Sequence, residues 1–82
     1  MKIADFHERV WRGLNELRRQ AYDIEGAKIV VHPATRAMLA METDAFEWYR
    51  APEGGERYRG LALELDSRIG EDSILLRYEV EA

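Results

Sequence analysis

The spacing of apolar residues changes once along this chain, and that change limits the folds open to it. Ile3, Phe6, Val10, Leu14, Leu17 and Ala21 recur every three or four positions, as one face of a helix does. Leu61, Leu63 and Leu65, and then Ile74, Leu76, Tyr78 and Val80, recur every second position, as one face of a strand does. Between them AKIVVHP is a β-branched run with apolar side chains on both faces, which is how a central strand covered on two sides reads. A chain that carries both periods in separate segments belongs to the α+β class.

The local signals fix approximate boundaries. The first helix is expected from about residue 2 to about 23, with Asp5–Arg9 and Glu8–Arg12 as acid-to-base pairs, Arg18 and Arg19 at its negative end, and Gly26 as the stop. A strand over about 27 to 32 runs straight into a second helix, PATRAMLAME, because Pro33 cannot continue a ladder but fits a first helical turn. Ala34, Met38 and Met41 are expected on that helix's inner face. Asp44 and Glu47 have capping-box spacing for a further turn, AFEWYR, ended by Pro52 and Gly54-Gly55, and the segment reads equally as the tail of the second helix. The last two strands, about 57 to 66 and 74 to 80, flank the turn DSRIGED and are expected to pair as an antiparallel hairpin. The order α-β-α-β-β then gives two helices on one face of a small three-stranded sheet, in a single domain over residues 1 to 82. Leu75 and Ala62 point away from the helices, and a second copy of the chain is the simplest cover for them.

Size and charge narrow the function. A chain of 82 residues builds only one small core, so self-association as a homo-oligomer is a serious expectation. Residues 1 to 41 hold seven basic and five acidic side chains, and residues 42 to 82 hold five and eleven, so a net charge of +2 faces one of −6. The acidic second half argues against general nucleic-acid binding and suits head-to-tail pairing or docking on a basic partner. Without cysteine there is neither a disulfide framework nor a thiolate site, and no apolar run reaches membrane-spanning length. The first residues carry charges where a signal peptide is apolar, so the expected place is the cytoplasm. Ten of the twelve basic residues are arginine, which fits a hot-growing host and a GC-rich genome equally.

No catalytic pattern is readable. Ser67, Ser73, Thr35 and Thr43 have no elbow motif or neighbouring base, the acid pairs lie in or beside a polar turn, and no phosphate-cradling glycine motif occurs. The two histidines, His7 and His32, have no metal-ligand spacing, so neither a metal nor a cofactor is expected. Trp11 reads as a core or dimer-face anchor. Two binding constellations stand out. His32 and Arg36 could receive an anion at the start of the second helix, against the alternative that His32 only caps it. In WYRAPEGGERYR, residues 48 to 59, Trp48, Tyr49 and Tyr58 could stack on a planar, nucleotide-like anion while Arg50, Arg57 and Arg59 pair with its phosphate or carboxylate. The alternative there is that Trp48 and Tyr58 close one end of the core and the arginines neutralise Glu47, Glu53 and Glu56.

Three stretches, IVVHPATRAML, YRGLALELD and SILLRYEV, resemble a pattern of tailed-bacteriophage proteins that includes a segment of capsid-type proteins. The pattern is a strand ending at a proline, a helix, an irregular loop, a strand that opens on an aromatic or apolar residue and glycine, and a final strand. It spans residues 29 to 80 and departs at Ala62, where proline is common. The resemblance implies a viral origin and a fold, and it carries over no functional residue. The expected function is therefore that of a small, non-enzymatic, phage-encoded protein that binds or assembles as a homo-oligomer in the host cytoplasm. The alternative is a counter-defence inhibitor that blocks a host defence complex or sequesters a nucleotide messenger, with a host or phage protein as partner.

Overall fold

The computed structural model describes residues 1–20, 26–44 and 47–78. Helix α1 runs Ile3–Arg19 and helix α2 Pro33–Glu42; the strands are β1 Lys28–Val31, β2 Trp48–Arg50, β3 Glu56–Tyr58, β4 Leu61–Leu65 and β5 Ile74–Arg77. All five strands join one mixed sheet in the order β2-β3-β4-β1-β5. The α+β class follows from the separated periods, and the sheet is wider than the sequence suggests.

The expected hairpin between the last two strands does not form. Strand β1 lies between them, parallel to β4 and antiparallel to β5, with Val30 level with both Glu64 and Leu75. The reason lies in β1 itself: Ile29, Val30 and Val31 are all buried, so this strand needs neighbours on both sides, and the eight residues 66–73 are long enough to step across it. Val30 points to the sheet face away from Ile29 and Val31, yet it is only 1% exposed.

Phe6, Val10 and Leu17 of α1 are buried as the stripe predicts, and Ile3 and Leu14 pack against the same core; Ala21 lies outside the described residues. That core is completed by Ile29, Val31, Leu39, Tyr58 and Leu63, with Ile74 and Leu76 from β5 at its margin. The helix approaches β5 so closely that a β-carbon at Gly13 would collide with the Leu76 side chain. Of the two expected ion pairs Glu8–Arg12 forms, whereas Arg9 donates instead to the Asp72 carbonyl at 2.7 Å. A backbone acceptor on the β4–β5 connection thus ties that connection to α1.

Helix α2 is rotated from its expected seating. Thr35 and Leu39 are buried, Met38 is half-buried, Ala34 is exposed, and Met41 is 85% exposed. Thr35 can face inward because its hydroxyl donates to the Glu71 carbonyl at 2.9 Å, so its polar group is not stranded. The expected helical turn AFEWYR is also corrected. The Asp44 carboxylate does accept from the Glu47 N–H at 3.1 Å, but strand β2 begins at the next residue, Trp48. Ala45 and Phe46 of that segment lie outside the described residues. Aromatic Trp48 and Tyr49 favour a pleated surface once a pairing partner exists, and β3 supplies one.

Candidate functional site

Residues 48–59 form a β-hairpin, and its pleat decides what each side chain can do. Ala51 and Gly55 close the tip, with the Ala51 N–H donating to the Gly55 carbonyl at 2.9 Å. Gly54 and Gly55 stand at φ 98° and 79°, a conformation that side chains rarely adopt. Arg59 and Gly60, at φ 48° and 86°, make the tight turn from β3 into β4 with both central residues left-handed. Alternation then sends Trp48, Arg50, Glu56 and Tyr58 to the helix-covered face of the sheet. Tyr49 and Arg57, paired in register, go to the open face.

The aromatic and basic residues that stand together in the sequence are thereby divided. Tyr58 is a core residue, 1% exposed, with its ring edge-on to Phe6 at 4.9 Å between centroids. Arg59 lies over the Tyr58 ring at 5.7 Å and pairs with Glu47 at 3.7 Å. On the open face Arg57 pairs with Glu53 at 3.5 Å beside the exposed Tyr49. Trp48 packs against the core with its indole Nε1 buried and unpartnered. Its ring is covered by Arg36 of α2 at 5.2 Å.

His32 and Arg36 are likewise separated in role. The His32 Nδ1 accepts from the Ala34 N–H at 3.0 Å, which caps α2 and requires that nitrogen to carry no proton. Arg36 turns to the hairpin, where its Nε and Nη2 both reach the same Glu56 oxygen at 2.9 Å. Of the eight binding candidates, Arg36 and Arg50 meet at one groove. They line a groove of about 420 Å³ with Gly54, Gly55, Glu56, Leu63 and Leu65. It opens at the carboxyl end of the parallel pair β1–β4, beside the first turn of α2. Among the described residues Arg50 forms no ion pair.

A polar cluster not singled out from the sequence holds the other side of the hairpin. The His7 Nδ1 is hydrogen-bonded to the Tyr58 hydroxyl, and its Nε2 lies 3.2 Å from a Glu47 oxygen. With Nε2–H donating to Glu47 and the Tyr58 O–H donating to Nδ1, a neutral imidazole satisfies all three groups and gives the buried hydroxyl its partner. The cluster locks α1 to β3. Its sequence signal was available: His7 follows Ile3 by four positions and precedes Val10 by three, which puts it on the flank of the buried stripe.

Elsewhere, Asp66 receives three bonds from Arg68, from its backbone N–H at 2.9 Å, Nε at 3.0 Å and Nη2 at 3.2 Å. The Arg68 side chain first, and then its backbone N–H, hold the Asp66 carboxyl below the usual carboxylate range. Trp11, on the outer face of α1, is 64% exposed, so it is not the core anchor that was one of its two readings. Among the described residues no group of three or more His, Cys, Asp or Glu side chains could hold a metal ion, and no helix is long and apolar enough to cross a membrane. No family model, curated protein or solved structure matches this chain.

Proposed function

We propose that this protein is a non-enzymatic component that works by assembling with copies of itself through the β5 edge of its sheet. The observation that carries this reading is the character of that edge. Among the described residues, Ile74, Leu75 and Leu76 are consecutive apolar residues on a strand paired on one side only, and Leu75 is 43% exposed on the face no described helix covers. An unguarded apolar edge is a template for another strand. Antiparallel β5–β5 pairing about a two-fold axis perpendicular to the sheet keeps each residue on its own face. An axis through Leu75 sets the two exposed Leu75 side chains against each other. The proposed phage origin is supported by the three sequence stretches that resemble phage proteins, which fall on β1–α2, β4 and β5. Light scattering across a dilution series tests the assembly. Mass at least twice 9.6 kDa at micromolar concentration is expected, and 9.6 kDa throughout would end the reading.

A counter-defence role is the second reading, and the outward-facing Trp11 favours it. A tryptophan among Arg12, Asn15 and Arg18 on an exposed helix face is the residue type that anchors protein–protein contacts. On this reading Trp11→Ala abolishes protection of a phage against host defence while the protein's mass in solution is unchanged. Full protection by that variant contradicts it.

A further inference from the structure

We infer that the groove between the first turn of α2 and the β2–β3 hairpin is a binding site for a single carboxylate carried on an apolar chain. Three features of the groove lead there. First, its charge is +1 and localised. Arg36 is engaged twice by Glu56 and lies over Trp48, while Arg50 reaches the same space without an ion pair. One uncompensated guanidinium matches one carboxylate, which it can hold by two parallel hydrogen bonds. Second, the floor is apolar. Leu63 is nearly buried, but Leu65 at the end of β4 is 46% exposed, so a hydrocarbon segment laid beside Arg50 removes leucine surface from water. Third, the glycine side of the groove is open. At Gly54 and Gly55, which line it and carry no side chains, nothing lies within 4 Å of where a β-carbon would stand. The groove is open and has a volume of about 420 Å³.

The same features disfavour a nucleotide. A terminal phosphate brings up to two negative charges against the Glu56 carboxylate in the wall, and only one cation is free to meet them. None of the three rings that might stack on a base lines the groove: Tyr58 is in the core, Trp48 is covered by Arg36, and the exposed Tyr49 is on the open face of the sheet. The shared chemistry of a carboxylate and an apolar chain has two sources, a fatty acid and the apolar C-terminus of a peptide.

The site is tested by following backbone amide shifts while the intact protein is titrated with octanoate, and separately with the tetrapeptide acetyl-Ala-Leu-Val-Leu as its free acid. Octanamide and the amidated peptide serve as uncharged controls. Saturable shifts at Gly54, Gly55 and Leu65 are expected with at least one acid. Saturation by octanoate alone assigns an acyl source, and saturation by the peptide acid alone assigns a peptide terminus. The matching amide should bind at least roughly tenfold more weakly, and Arg50→Gln should lose about as much, as removal of a charge-assisted pair does. The site is overturned if neither acid saturates, if amide and acid bind alike, if inorganic phosphate competes equally, or if Arg50→Gln binds unchanged. Repeating the titration on Leu75→Lys separates this site from assembly, since Leu75 lies on the opposite face of the sheet.

Discussion

The two edges of the sheet are built differently. Strand β2 is only three residues long, and the hairpin that carries it is anchored through Trp48 and Tyr58 in the core and through the Tyr58–His7–Glu47 cluster to α1. Its remaining residues, Tyr49 and Arg50, bring a half-polar ring and a charge to the outer rim. Strand β5 presents Ile74, Leu75 and Leu76 in succession, with its first charge at Arg77. Short length and charge are the devices that stop an edge from recruiting another strand, and β5 lacks them over three positions. The β2 edge therefore belongs to folding, and on the proposed reading the β5 edge belongs to assembly.

That contrast orders the consequences of mutation. Tyr58→Ala removes a fully buried ring from the anchored side and is expected to cost about 3–5 kcal/mol in chemical denaturation. A cost below about 1 kcal/mol would erase the difference between the two sides. Tyr58→Phe keeps the ring but withdraws the hydroxyl from His7, so a loss of about 1 kcal/mol is expected by the same measurement. On the other edge Leu75→Lys should change unfolding of the isolated protomer by no more than about 0.5 kcal/mol, because the side chain is already half in water. It should nevertheless reduce the sedimenting mass to that of one chain. Arg57→Ala and Arg59→Ala remove solvent-facing pairs with Glu53 and Glu47, and each should cost less than about 1 kcal/mol in thermal unfolding, with the loss shrinking in high salt.

The smallest effect belongs to the β4–β5 connection. The folded Asp66 carboxyl titrates below its unfolded value of about 3.9. Its contribution is therefore fully present above that pH and disappears as the pH falls through the folded value. The stability curves of Asp66→Asn and the parent protein should converge in acid and reach their full separation by about pH 4. Acid titration followed by circular dichroism checks this. Curves that keep a constant separation down to pH 1 would contradict the assigned pairing.

Local periodicity carried much of the fold. The α1 stripe from Ile3 to Leu17, the strand before Pro33 and the alternation over β4 and Ile74–Leu76 are all set by near neighbours, and each appears where its pattern lies, while Tyr78 follows the end of β5 and Val80 lies outside the described residues. What the pattern did not contain is which strand pairs with which. DSRIGED reads as a hairpin turn because pairing with the nearest strand is the default, yet the need to bury Val30 as well as Ile29 and Val31 places β1 between β4 and β5. That demand acts over more than 30 residues of sequence. The binding stretch failed to read for a related reason. Trp48, Tyr49, Arg50, Arg57, Tyr58 and Arg59 look like one constellation in a helical turn and loop, but a pleated hairpin sends alternate residues to opposite faces. Helix α2 turned its Thr35 side inward because a carbonyl from a distant loop was waiting there, and nothing adjacent to Thr35 announces it.

On the proposed reading copies meet at β5 and not at β2, and the absence of native cysteine allows a direct measurement. Single cysteines introduced by Leu75→Cys and, on the other edge, by Tyr49→Cys are oxidised under identical mild conditions, and covalent dimer is read by non-reducing electrophoresis. Directly opposed residues on an antiparallel pair lie within disulfide reach. Rapid, near-complete dimer from Leu75→Cys with little from Tyr49→Cys is the predicted result; dimer from Tyr49→Cys alone, or equal slow yields from both, would contradict it.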